Sequence, residues 1–121
     1  KVVDYPAHVV DLFATVIELA GGRVDRLTDT GLELDSISLA PYLFEDSPSA
    51  QRKWVLAEHP RGRAIRDQRF KLLVMDGEQE FYDLDGDPNE LHPLDLTSIS
   101  GEASLSYKFL KARLDELPPI Q

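Results

Sequence analysis

RAIRDQRFKLLVMDGEQEFYDLDGDPNE, residues Arg63 to Glu90, is the stretch whose reading decides the fold. Phe70, Leu72 and Val74 alternate with Lys71, Leu73 and Met75, the period of two expected of a strand with at least one buried face. Asp76-Gly77 follows at once, a two-residue pair suited to a tight hairpin in which both central positions take φ > 0. Glu78 to Leu84 returns as a second strand carrying Phe81 and Leu84, and stops in the turn Asp85-Gly86-Asp87-Pro88. Arg63 to Arg66 reads as an earlier strand, joined by the polar turn Asp67-Gln68, and Trp54 to Glu58 as another. The pattern predicts an antiparallel meander of about four strands.

Working outward, Val9 to Ala20 reads as a helix ended by Gly21-Gly22. Asp11, Thr15 and Glu18 fall in one narrow stripe, while Val9, Val10, Leu12, Phe13, Val16, Ile17 and Leu19 cover most of the circumference. A helix apolar nearly all round needs burial on several sides. A chain this small is not expected to supply that, so the helix reads as taken from a larger domain. Left without that domain, its surface is expected to be covered by self-association with another copy or by a rearranged N-terminal arm. Arg23 to Leu34 reads as loop, and Leu39 to Leu43 as a short helix with Pro41 in its first turn. Glu45 to Arg52 is a charged connector, which places a boundary between residues 1–50 and 51–121. Ala103 to Leu117 reads as an amphipathic helix with Tyr107, Leu110, Leu114 and Leu117 on one stripe, ended by Pro118-Pro119 and covering one face of the sheet.

Four pieces of the meander, in order, carry a resemblance: Arg63-Ala64-Ile65-Arg66, Arg69-Phe70-Lys71-Leu72, Phe81-Tyr82-Asp83-Leu84 and Asp87-Pro88-Asn89-Glu90. They resemble the C-terminal subdomain of the sulfatase family, within the alkaline-phosphatase superfamily. Asp11-Leu12-Phe13-Ala14-Thr15, ending in Leu19-Ala20-Gly21, resembles the family phrase Asp-Leu/Ile-x-Pro-Thr, with Ala14 in place of proline. Asp35-Ser36-Ile37-Ser38-Leu39 resembles Asp-Gly-x-Ser-Leu, with Ser36 in place of glycine. Pro93 stands where the family often has Asn. The resemblance implies an α/β fold (α+β within this segment). Residues 1–50 would end the large α/β domain, and 51–121 would form a small antiparallel sheet with its terminal helix. It also implies a sulfuric ester hydrolase as the parent enzyme, using a formylglycine nucleophile and calcium, with a missing N-terminal α/β catalytic domain as this segment's partner. A phosphodiester or phosphonate monoester hydrolase of the same superfamily is the near alternative; a free-standing, non-enzymatic structural or interaction module is the distant one.

The chain has 121 residues, no cysteine and a formal net charge of −9. That charge argues against electrostatic partnership with nucleic acid or an anionic membrane, and no apolar run is long enough to span a bilayer. Nothing in the chain marks its compartment. The family's nucleophile arises from Cys/Ser-x-Pro-x-Arg. Here the only Ser-Pro, Ser47-Pro48, has the wrong spacing, so no catalytic residue is expected in this segment. No cofactor or metal ligand set is expected either. Asp83, Asp85, Asp87 and Glu90 imitate a calcium loop, but Pro88 occupies the position an EF-hand reserves for glycine. The remaining constellation is His59-Pro60-Arg61-Gly62-Arg63, a loop between two strands. His59, Arg61 and Arg63 could present cations to an anionic sulfate-ester substrate in the parent enzyme; the plain alternative is a solvated turn. His8 and His92 belong to no pattern and read as structural or loop residues.

Overall fold

The computed structural model describes residues 2–25, 31, 34–46 and 48–118, and within them the chain forms two compact units, 1–53 and 54–121. The loop expected over residues 23–34 falls largely outside the described residues, as do Ser47 of the Ser-Pro pair and Pro119.

The first unit contains α1 (Asp11–Leu19) and the short α2 (Ala40–Phe44), with Pro41 in the first turn of α2. Helix α1 ends where the glycines predict. Gly21 takes φ 76°, its N–H bonds the Glu18 carbonyl at 2.9 Å, and the Gly22 N–H bonds the Ile17 carbonyl at 2.8 Å. These two bonds form a Schellman closure, which a residue with a Cβ would resist at Gly21.

Helix α1 turns its polar side inward. Asp11, Ala14 and Thr15 are buried, while Val9, Leu12, Phe13, Val16 and Leu19 are each half or more exposed. Directional bonds set this orientation. The Asp11 carboxylate accepts from the His8 N–H at 2.8 Å, the Ile37 N–H at 3.0 Å and Arg52 Nε at 2.9 Å, and Arg52 Nη2 closes the fork. The Thr15 hydroxyl donates to the Asp11 carbonyl at 2.6 Å and accepts from the Leu39 N–H at 2.8 Å. Among the described residues, no N-terminal arm covers the outward stripe: Tyr5 instead stacks on Tyr42 of α2, with ring centroids 5.8 Å apart.

The second unit is a four-stranded antiparallel meander in the order β1-β2-β3-β4, followed by a helix. The strands are β1 (Val55–His59), β2 (Gly62–Arg66), β3 (Phe70–Met75) and β4 (Glu78–Asp83). Asp76 and Gly77 form the β3–β4 turn with φ 52° and 87°, the two positive values a primed turn requires. At the β2–β3 turn, Asp67 Oδ1 accepts the N–H groups of Arg69 at 2.9 Å and Phe70 at 2.7 Å, an Asx-type closure.

The register aligns Leu56, Ile65, Leu72 and Phe81 in one cross-strand row. Ile65, Leu72 and Phe81 are fully buried and meet Leu110 and Leu114 of α3 (Gly101–Asp115). Phe70 stacks on Phe81 at 5.4 Å, and Tyr107 meets Phe81 edge-on at 5.4 Å. The helix begins and ends two residues earlier than its apolar period suggests. Leu117, read as its last apolar contact, lies beyond the helix, with its N–H bonded to the Leu114 carbonyl. Ser106 is buried although polar, because its hydroxyl donates to Asp67 Oδ2 and pins α3 to the β2–β3 turn.

Candidate substrate-facing loop

The β1–β2 turn is only two residues long. His59 pairs with Gly62 across the ladder, which leaves Pro60 and Arg61 at the tip. Proline presets the φ of a tight turn, and Gly62 is demanded by crowding: a Cβ there would lie 2.0 Å from the Val74 carbonyl oxygen and 2.8 Å from the Met75 Cα. The β2–β3 ladder continues one step beyond the strands, where the Asp76 N–H bonds the Arg61 carbonyl at 2.9 Å. The β1–β2 and β3–β4 turns are therefore side by side at one end of the sheet.

This proximity decides what the three cations of the sequence reading do. Arg61 is exposed, and its guanidinium grips Asp76, with Nε 3.1 Å from Oδ2 and Nη2 bonding the same oxygen. The carboxylate holds the guanidinium above its usual range. Among the described residues, Arg61 Nη1 bonds nothing. His59 is exposed, and its Nδ1 accepts the Arg61 backbone N–H at 3.3 Å. Arg63 differs. Its side chain is nearly buried, its Nε donates to Glu58 at 2.6 Å, and its Nη2 donates to the Pro118 carbonyl. Arg63 ties the segment after α3 back to the sheet, while His59 and Arg61 form the accessible part of the loop. Asp76, which the sequence marks only as a turn residue, is the fourth member.

The acidic turn after β4 is internally committed. Asp83 receives Nε and Nη2 of Arg69 at 2.8 and 2.6 Å, and Arg69 also reaches Glu102 at 2.8 Å. This fork pulls the Asp83 carboxyl below the usual carboxylate range. Asp87 accepts the His92 N–H at 2.7 Å, and Lys71 Nζ donates to Glu90 at 2.6 Å. Glu90 sits at φ 56°, unusual for a side chain of its size, and the Lys71 bond helps hold it there. Tyr82 is buried and donates to Glu80 at 2.8 Å; burial first, then that carboxylate, pushes its hydroxyl up to about 12. No set of three His, Asp or Glu side chains among the described residues is arranged to hold a metal ion. No described helix is long and apolar enough to cross a membrane.

Comparison with solved structures places this architecture. The chain superposes on a 2-O GAG sulfatase with a TM-score of 0.68 and 27% identity, over 96% of its own length and 26% of that chain. A Bacteroides thetaiotaomicron VPI-5482 protein assigned to the sulfatases gives 0.62 and 28%, over 88% of this chain and 23% of that one. A third structure, solved in complex with its substrate D-glucosamine-2-N,6-O-disulfate, gives 0.60 and 29%, over 88% and 22%. The chain thus spans about a quarter of the length of these neighbours. No family model matches it, and no curated protein does. In fold over nearly its whole length, and in sequence to the degree these neighbours share, the chain resembles the C-terminal region of the sulfatase family.

Proposed function

We propose that this chain is the C-terminal segment of a sulfatase-like sulfuric ester hydrolase, in which it completes the fold and lends one wall to the substrate cleft. The observation that carries this reading is the likeness itself: almost all of this chain matches only 22–26% of each sulfatase-type neighbour. Residues 1–50 are then the end of the large α/β domain, and 51–121 the antiparallel subdomain. The catalytic nucleophile and the calcium site belong to the remainder of the parent enzyme. The chain has no cysteine, and its described carboxylates are not grouped for a metal, so no step of the reaction is assigned to its residues.

The wall is formed by His59, Arg61 and Arg63. A sulfate ester carries fixed negative charge, and the sulfated glucosamine bound by one neighbour supports an anionic substrate class. Arg61 offers a planar donor fork already oriented by Asp76, with Nη1 left to meet an anion. His59 stands beside it, and Arg63 positions the loop from beneath through Glu58.

The test compares the full-length polypeptide with this 121-residue chain, using aryl sulfate, aryl phosphate and sulfated glucosamine with calcium present. The full-length protein is expected to release sulfate and the chain alone to release nothing. A full-length protein that prefers the phosphate ester would move the assignment to the phosphoesterase branch. Turnover by the isolated chain, abolished by a substitution within it, would overturn the proposal.

A further inference from the structure

The chain contains the dipeptide Asp-Gly twice, at 76–77 and at 85–86, and the fold treats the two pairs differently. We propose that Asp76-Gly77 is a site of spontaneous isoaspartate formation restrained by Arg61, while Asp85-Gly86 is locked against the same reaction. The proposal does not depend on the reading of the parent enzyme.

The chemistry needs only water. The Gly77 nitrogen gives up its proton and attacks the Asp76 carboxyl carbon, one carboxyl oxygen leaves as water, and a five-membered succinimide closes. Hydrolysis of the new bond restores aspartate. Hydrolysis at the former main-chain carbonyl instead leaves the chain running through the side-chain carbon, one methylene longer, with a free carboxylate on the Asp76 Cα.

Glycine favours ring closure because no Cβ crowds the attacking nitrogen. Gly77 lies in open space: a Cβ built there meets no atom within 4 Å, and its N–H has no acceptor among the described residues. The Asp76 side chain is exposed at the tip of the turn, where water reaches it. Arg61 opposes closure. Its Nε lies 3.2 and 3.1 Å from the two Asp76 carboxylate oxygens and its Nη2 bonds one of them, so the carboxyl carbon moves onto Gly77 only as that grip opens. An exposed pair of this kind is a weak brake. At the second pair the attacking nitrogen is engaged. The Asp83 carboxylate, forked by Arg69, accepts the Asp85 N–H at 3.2 Å and also draws on the Gly86 N–H. The Asp83 carbonyl accepts the Asp87 N–H at 2.8 Å and closes the turn around Gly86. Isomerisation at residue 76 would lengthen the turn that fixes the β3–β4 register and take the carboxylate away from Arg61.

The test keeps the 121-residue chain and its Arg61→Ala and Asp76→Glu variants for several weeks at physiological temperature, folded in buffer and unfolded in urea. Peptide mapping with electron-transfer fragmentation then counts isoaspartate at each position. In the folded chain it is expected at residue 76 well before residue 85. Arg61→Ala should speed the first about threefold and leave the second unchanged. Asp76→Glu, which would need a six-membered ring, should remove the signal at 76. In urea the two pairs should react at similar rates. Isoaspartate appearing first at residue 85, or none at residue 76, would overturn the proposal. So would an Arg61→Ala variant that reacts no faster, or a preference for residue 76 that survives unchanged in urea.

Discussion

The Ser36 hydroxyl stands between the Ala14 N–H, which it accepts at 2.9 Å, and the Val10 carbonyl, to which it donates at 2.6 Å. Those two backbone groups would otherwise bond each other as the first full turn of α1. A side chain from 22 residues away is thus inserted into the helix ladder, where a water molecule could also serve. Ala14 and Ser36 are also two of the three positions, Pro93 being the third, where this sequence departs from the sulfatase pattern it resembles, which carries proline in place of Ala14 and glycine in place of Ser36. In the structure the two departures are halves of one contact. One supplies an N–H that proline lacks, and the other supplies the oxygen that receives it.

Coupling between the two positions is the first expected outcome. Ser36→Gly should destabilise the first unit by about 1–3 kcal/mol, because the Ala14 N–H and the Val10 carbonyl lose the hydroxyl that bridges them. Ala14→Pro alone should also destabilise, since its ring would press on the Ser36 oxygen. The double change should cost less than the sum of the two. Chemical denaturation of all four proteins measures the coupling, and simple additivity would contradict it.

The Asp11–Arg52 pair makes stability depend on pH. Burial raises the Asp11 carboxyl, but the Arg52 side chain and the Ile37 and His8 N–H groups outweigh it, so the net displacement is downward. A carboxyl depressed on folding contributes stability that is present above its unfolded value of about 3.9 and lost as pH falls through its folded value. Amide exchange at Ile37 and Leu39 should therefore accelerate as pH drops below about 4, after correction for intrinsic rates. Asp11→Asn should remove that acid sensitivity. It should also destabilise the unit by about 3–5 kcal/mol at neutral pH, because Arg52 keeps its burial and loses its counter-charge.

Gly62→Ala tests the closeness of β2 to β3. The new methyl would collide with the backbone of Val74 and Met75, where no rotamer change can relieve it. A loss of several kcal/mol is expected, beyond the usual 1–3 kcal/mol of overpacking. Trp54 packs against the sheet core, so its fluorescence in a urea titration reports the change. A variant as stable as the parent would mean that the two strands separate easily at this end.

On the proposed function, Arg61→Ala in the full-length polypeptide should raise KM, or lower kcat/KM, roughly tenfold for a sulfate ester. Its melting temperature should barely move, because the Arg61–Asp76 pair is exposed and such pairs contribute little. Asp76→Asn keeps the shape and removes the counter-charge, so it should strengthen anion binding if Arg61 is a substrate contact. Unchanged kinetics in both variants and in His59→Ala would leave the loop as a solvated turn.

The meander was legible because its signals are local: an Asp-Gly pair fixes one turn, and strict alternation fixes the face. The terminal helix was legible as an element but not in its ends, because Gly101 reads as a break and Leu117 continues the apolar period past the last helical turn. The inward orientation of α1 was not legible. Its cause lies in Ser36, Ile37, Leu39 and Arg52, partners 22 to 41 residues distant, and periodicity carries no record of them. At the loop, residue types identified His59, Arg61 and Arg63 but not their different situations. Those depend on strand register: Asp76 stands opposite Arg61 only once the β3–β4 turn is fixed, and the Arg63 partner beyond α3 is 55 residues away.

Each strand of the sheet pairs only with its neighbour in sequence, and the three fully buried residues Ile65, Leu72 and Phe81 lie within a single short stretch of chain. Closing such short loops carries little entropic penalty, and chains dominated by near-neighbour pairing fold quickly. The meander should therefore assemble early and unaided, whereas the first unit waits for contacts made across long stretches of chain. In stopped-flow refolding, the Trp54 signal should accordingly recover before the amides of α1 gain protection. The order of assembly would run opposite to the order of synthesis.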